Sequence, residues 1–305
     1  MSGTFAVREG HIPFRDFNTW FRIVGDGEEP GKLPLLTLHG GPGAPHDYLD
    51  SLEAMASTGR RVIFYDQLGC GNSGLPQPAP DLWTISLYLE EVDTVRRFLG
   101  LDRVHVLGQS WGGMLGMEYA LTQPAGLMSL TLASSPASIA QWIAEANRLR
   151  EALPWTVQQT LLEHEAAETT DSPAYQDAML VYYRRHVCRT EPWPDAVVRT
   201  FSKLEKNPEV YHTMWGPSEF HALGTLRDWS VVDRLRGIRV PTLVTSGRYD
   251  EATPAIAQTV HREIPGSEWV MFERSAHCAH VEEADSYCVI LDSFLSRVEQ
   301  ALAPT

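Results

Sequence analysis

The stretch Gly108-Gln109-Ser110-Trp111-Gly112 sets a serine between two glycines, with the apolar run VHVL before it and MLGMEYAL after it. A strand that passes at once into a helix leaves its turn residue at the end of the sheet. Flanking glycines let the backbone turn sharply enough to lift the Ser110 hydroxyl clear. A serine hydroxyl is a weak nucleophile near neutral pH. It needs an imidazole to take its proton and a carboxylate to orient that imidazole. The expected partners lie downstream: Asp250 just after VPTLVTSG, and His277 in the loop after SEWVMFER. A second glycine cluster, His39-Gly40-Gly41-Pro42-Gly43, leaves the apolar run LPLLTL. Such a loop can bring N–H groups together at one point, as a developing oxyanion requires. The expected donors are the N–H of Gly41 and that of Trp111, the residue after the nucleophile, with His39 bracing the loop.

One turn carries two acids. In GRYDEATP, Glu251 directly follows Asp250, and successive side chains of an extended segment point to opposite sides. The two are therefore expected to serve different partners. Two other patterns weigh less. His277-Cys278-Ala279-His280 suits a metal pair only on a helical face with a third ligand, and neither is evident in this loop; His280 is left without a role. Gly69-Cys70-Gly71-Asn72-Ser73-Gly74 matches a dinucleotide-binding pattern, but LPQPAPDLW follows where a phosphate-binding helix should begin. A tight loop bordering the site is expected there, followed by a stiff loop at PQPAP, and no cofactor or metal is expected.

These residues must be held by a scaffold. HIPFRDFNTWFRIVG reads as an antiparallel strand pair, and LPLLTL, RRVIFYDQ, RVHVLG, LMSLTLAS, VPTLVTSG and SEWVMFER each read as a short apolar strand ending in glycine or polar residues. Helical patterns alternate with them, such as ISLYLEEVDTVRRFLG with Leu87, Leu89, Val92, Val95 and Leu99 on one face. That alternation specifies an α/β protein with a mostly parallel sheet. With the chain order Ser, Asp, His it points to an α/β-hydrolase fold. From about Ser135 to about Trp229 the pattern is helical without buried strands, so residues 1–134 and 230–305 are expected to form the core and 135–229 an inserted helical cap. The chain has 305 residues, 43% of them apolar and 21% charged, with a formal net charge of −14. No basic patch is visible, which argues against nucleic acid as a partner, and the acid excess mildly favours cationic substrates. The segment MSGTFAVREGHIPF has no basic stretch followed by an apolar one, and no apolar run is long enough to span a bilayer. A cytoplasmic protein with no membrane contact and four free cysteines (Cys70, Cys188, Cys278, Cys288) is expected.

With LHGGPG, YDQLGCGNS, GQSWGG, MWGPSEF and GRYDEATP in view, nearly the whole chain resembles the proline iminopeptidase family of serine aminopeptidases. The resemblance implies release of an N-terminal residue, often proline, from small peptides or amides through an acyl-enzyme. It also implies that the substrate's free amine is held by acidic residues, which fall here on Glu219 of MWGPSEF and Glu251 of GRYDEATP, with Tyr211 in the same pocket. Trp215 and Phe220 are expected to line an apolar pocket or to pack. Two readings within the same chemistry stand beside this one: an L-amino acid amidase acting on small amides such as prolinamide, and an esterase or lactonase acting on neutral substrates. A non-catalytic receptor on the same fold is a further alternative.

Overall fold

The computed structural model describes residues 5–75 and 77–302. Short runs of β-branched and aromatic residues form one eight-stranded sheet: β1 (Val7–Phe14), β2 (Phe17–Val24), β3 (Leu35–Leu38), β4 (Val62–Tyr65), β5 (Val104–Gln109), β6 (Leu127–Ala133), β7 (Thr242–Gly247) and β8 (Glu268–Phe272). The spatial order is β1-β2-β4-β3-β5-β6-β7-β8. β1 and β2 pair antiparallel, as does β2 with β4, and every later pairing is parallel. β3, β4, β5 and β7 are buried along their whole length, as strands covered on both faces must be.

The order of winding fixes where chemistry can sit. From β3 the chain moves outward to β4, then returns to lay β5 on the other side of β3, so the direction of winding reverses between β3 and β5. Parallel sheets open a crevice beyond the carboxyl ends of the strands at such a reversal. The HGGPG loop leaves the end of β3 and Ser110 leaves the end of β5, and those ends lie side by side, with Leu38 paired to Gly108. β7 then ends at the Asp250 turn, and β8 leads into the His277 loop.

Helices α1 (Ile85–Phe98) and α2 (Trp111–Leu121) follow β4 and β5. The Thr84 hydroxyl caps α1 by accepting from the Leu87 N–H, and Leu87, Val92 and Val95 face the core. Among the described residues no named strand lies between β6 and β7. That interval holds α3 (Ile139–Glu151), α4 (Trp155–Ala166), α5 (Pro173–His186), α6 (Asp195–Lys206) and the short α7 (Glu209–Met214). Its two ends meet, since Ile139 N–H donates to Trp229 C=O and Val231 N–H to Ala137 C=O. Three helices close the fold: α8 (Pro254–Glu263), α9 (Ala279–Glu282) and α10 (Ala284–Ala301). The Gly69–Gly74 run forms only a three-residue 3-10 turn, Gly71–Ser73, wrapped around the Asp66 carboxylate. Pro76, the first residue of the PQPAP loop, and residues 1–4 of the N-terminal segment lie outside the described residues.

The glycines around Ser110 answer to space. A Cβ on Gly112 would lie 1.9 Å from Leu38 O, and one on Gly108 would lie 2.1 Å from Gly112 O. Helix α2 can therefore start flush against β3 only if both lack side chains. Gly112→Ala is expected to destabilise the fold by about 3 kcal/mol, because the obstacle is backbone and cannot rotate away. Urea denaturation of the purified variant measures this, and an unchanged midpoint would contradict the packing argument.

Candidate active site

Ser110 sits at φ 55° and ψ −122°, a strained setting for a non-glycine residue. It is held there by its own N–H donating to Ala133 C=O on β6, and by its C=O accepting from Gly113 and Met114. Its side chain opens into a cavity that also meets Gly41, Gln109, Glu219, Glu251 and His277. Opposite the polar groups, the wall is apolar, built by Ala44, Val187, Val197, Phe201 and Leu204.

His277 Nδ1 lies 2.8 Å from Asp250 Oδ1. The same carboxylate is fixed by its own turn, accepting from Ala252 N–H at 2.8 Å and from Gly247 N–H at 3.3 Å. Ser110 and His277 face one cavity without a mutual hydrogen bond among the described residues, a separation common before substrate closes the contact. The edge of Trp142 packs on the His277 ring, with centroids 5.9 Å apart. The N–H groups of Gly41 and Trp111 donate to no protein acceptor among the described residues, which leaves both available for an oxyanion.

Asp250 and Glu251 face different ways, as successive residues of an extended turn do. Glu251 Oε1 lies 3.9 Å from His277 Nε2, the ring nitrogen opposite the one that meets Asp250. Asp250 is hydrogen-bonded to the ring, whereas Glu251 stands beyond hydrogen-bond reach of it. Glu251 is fully buried, and neither of its carboxylate oxygens accepts a hydrogen bond. Burial, then the nearby Glu219 and Asp250 carboxylates, push its pKa well above the usual carboxylate range, against a smaller opposing effect of the neighbouring Tyr182 hydroxyl, which is not aligned for a regular hydrogen bond.

Glu219 is partly exposed to the cavity and accepts from the Tyr211 hydroxyl at 2.8 Å. Burial also raises its pKa, while His277 and the Tyr211 hydroxyl act in the other direction. Its backbone is held from three sides: its N–H donates to the Tyr183 hydroxyl at 3.2 Å, and its C=O accepts from the indoles of Trp142 at 2.7 Å and Trp215 at 3.3 Å. Tyr211 itself lines a neighbouring cleft and reaches the site only through Glu219. Trp215 and Phe220 are buried and serve as packing: Trp215 meets Trp142 edge-on at 5.3 Å, and Phe220 meets Tyr182 at 4.7 Å.

Several supports carry no sequence signal. The C=O of His186, at the end of α5, accepts from both Glu251 N–H and His277 N–H, each at 3.2 Å. The next carbonyl, Val187, accepts from Cys278 N–H at 3.1 Å. The Tyr48 hydroxyl accepts from Gly40 N–H at 2.7 Å and donates to Gln109 Oε1 at 2.5 Å, while Gln109 Nε2 donates to His277 C=O at 3.2 Å. His280 lies 3.2 Å from Tyr48 C=O and burial holds its pKa down to about 3, so it is a neutral brace for Tyr48. His39 braces the HGGPG loop as expected, with Nδ1 3.0 Å from Gly40 C=O. Among the described residues, no cluster of three or more potential metal-binding side chains occurs, and no helix is long and apolar enough to cross a membrane.

A family model described as alpha/beta hydrolase fold matches residues 34–284, and the chain belongs to that family. A proline iminopeptidase of Lactobacillus acidophilus is 40% identical over 292 residues, spanning 95% of this chain and 98% of that protein. The crystal structure of the proline iminopeptidase of Mycobacterium smegmatis superposes with a TM-score of 0.90 at 44% identity, covering 97% of this chain and 100% of that one. The crystal structure of VinJ superposes with a TM-score of 0.92 at 45% identity, covering 95% and 99%. Within the α/β-hydrolases, the chain belongs with the proline iminopeptidases.

Asp250→Asn keeps the shape of its turn but removes the charge that orients and stabilises the imidazole. Turnover of any substrate the enzyme accepts is expected to fall by about 10⁴-fold, with little change in product binding. Steady-state kinetics beside calorimetric binding of the product measures the two, and a loss confined to binding would contradict the assignment.

Proposed function

We propose that the protein is a serine aminopeptidase that releases an N-terminal residue, preferentially proline, from small peptides or amides bearing a free amine. Ser110 attacks the first carbonyl while His277 takes its proton and Asp250 orients the ring. The N–H groups of Gly41 and Trp111 receive the oxyanion. His277 then returns the proton to the leaving amine, and water enters by the same steps in reverse to free the acyl group. Residues 1–134 and 230–305 form the catalytic core under this reading, with 135–229 as a cap that supplies Glu219. The backbone pairing of Ala137–Ile139 with Trp229–Val231 supports that division.

One observation carries the choice of substrate. Glu219, Glu251 and Asp250 converge around a single imidazole, and among the described residues no lysine or arginine lines the cavity to balance them. Burying a carboxylate without a partner costs several kcal/mol, so a site that keeps Glu251 unpaired is built for a cation brought by the ligand. A protonated amine set between Glu219 and Glu251 supplies it, with the adjoining carbonyl close to Ser110. The apolar wall of Val187, Val197, Phe201 and Leu204 suits a compact hydrocarbon such as the proline ring. The names of the proline iminopeptidase relatives support the same preference.

A panel of aminoacyl anilides, amides and dipeptides, each free and N-acetylated, tests the reading. Free prolyl substrates are expected to be cut and their acetylated forms refused. Equal cleavage of both forms would overturn the amine anchor. Cleavage of prolinamide without any prolyl dipeptide would make the enzyme an amidase, and preference for neutral acetate esters would make it an esterase. Glu251→Gln is expected to lower kcat/KM for free-amine substrates by about 100-fold, since a neutral amide cannot replace a buried ionic contact.

The raised pKa of Glu251 also sets a pH dependence. Protonated at acid pH, Glu251 cannot pair with an ammonium, so KM for free-amine substrates is expected to fall as pH rises through its pKa. It rises again once the substrate amine loses its proton. For folding the sign is opposite. A carboxylate whose pKa is raised in the folded state stabilises it below the ordinary carboxylate pKa, and that contribution is lost as pH rises through the raised one. Glu251→Gln is therefore expected to raise the Tm of the free enzyme most at mildly alkaline pH and least in acid. Thermal melts across pH measure this, and a shift of equal size at every pH would contradict it.

A further inference from the structure

Gln67 stands in the loop after β4, is 1% exposed, and takes no part in the steps above. Every polar group it can offer to its neighbours is engaged. Its backbone N–H donates to His39 Nε2 at 2.8 Å, its side-chain Nε2 donates to His39 C=O at 2.9 Å, and its Oε1 accepts from the Trp111 indole at 2.8 Å. Its own C=O accepts from the Cys70 thiol at 3.0 Å. The loop beneath it is pinned as well, since the Glu91 carboxylate accepts from Leu68 N–H at 2.9 and 3.2 Å. Because His39 Nε2 accepts, its proton sits on Nδ1 and faces Gly40 C=O. A single residue thus grips two chain segments, the one that runs His39-Gly40-Gly41 and the side chain of Trp111, on the side away from the Tyr48–Gln109 link.

We propose that Gln67 is a positioning residue that fixes the spacing of the Gly41 and Trp111 N–H groups, and so tunes stabilisation of the oxyanion. The inference rests on the reaction proposed above. Oxyanion donors act through their distance from the charge that develops, and a displacement of about 1 Å can cost about 100-fold in rate. A primary amide is suited to the task because it donates to a carbonyl and accepts from an indole at the same time. Glutamate at this place loses the donor, and methionine of similar length loses both. The amine anchor at Glu219 and Glu251 makes no contact with Gln67, so ground-state binding is expected to be spared.

The test uses Gln67→Met, Trp111→Phe and the double variant, with Trp111→Phe removing the indole donor while keeping the backbone N–H. For each, kcat and KM are measured on a prolyl anilide, together with the affinities of a prolyl aldehyde, whose adduct with Ser110 places an oxyanion in the hole, and of free proline. Gln67→Met is expected to lower kcat by about 10- to 100-fold and to weaken the aldehyde by the same factor, with KM and proline affinity nearly unchanged. Trp111→Phe should give a smaller loss of the same kind, and the double variant should be no worse than Gln67→Met, because both changes break one connection. Unchanged kcat and aldehyde affinity in the single variants would overturn the proposal, as would losses that multiply in the double variant, or a proline affinity that falls as far as the aldehyde's. If Gln67→Met fails to fold, Trp111→Phe decides by the same readings. Turnover of p-nitrophenyl acetate is followed in parallel. If no aminoacyl substrate is cut, the substrate reading falls, while the ester kcat still tests Gln67.

Discussion

Two neighbouring carboxylates are buried close to one imidazole, and among the described residues no lysine or arginine of the cavity offsets them. Charge of one sign in a dry enclosure repels itself, and the fold can hold it by giving one acid hydrogen-bond donors or by favouring a proton on the other. Both occur here. Asp250 is steadied by two backbone N–H groups, whereas Glu251 has none and takes the shift toward its neutral form. The difference between two adjacent residues of the same chemical class is thus set by the backbone of a single turn.

The rest of the molecule can be understood as support for that arrangement. The return of the chain from β4 to β5 brings the ends of β3 and β5 together, and absent side chains at Gly108 and Gly112 allow helix and strand to meet there. Tyr48 and Gln109 carry the constraint from the HGGPG loop to the carbonyl of His277. Three loops from three strands therefore form one hydrogen-bonded body instead of three independent tips.

Much of this was legible in the sequence because the signals are local. Gly-x-Ser-x-Gly between a strand and a helix, a glycine run after a second strand, and an acid after a third each follow from turn chemistry that needs no knowledge of neighbours. The six core strands and helices α1, α3, α4, α5 and α6 likewise follow from periodicity. What stayed hidden depends on contacts across long separations in the chain. Nothing marks His186 as the carbonyl shared by Glu251 and His277, because any residue has a carbonyl. Tyr48 and Gln109 look like an ordinary aromatic and an ordinary amide until the sheet brings them together. Alternation along a strand gives the directions of Asp250 and Glu251, but not how near the His277 ring lies to each. Trp215 and Phe220 show the converse, since aromatic residues near a site were assigned to it or to packing, and the close edge-on contacts with Trp142 and Tyr182 decide for packing.

The shared carbonyl at the end of α5 carries one further consequence. A helix end that meets two functional loops could be pictured as a hinge free to swing. Here the hinge side and the latch would be the same atoms, since lifting the end of α5 breaks the bonds to both Glu251 and His277. The end of α5 is therefore a keystone at that point: any movement of it is transmitted directly to the loops that carry Glu251 and His277.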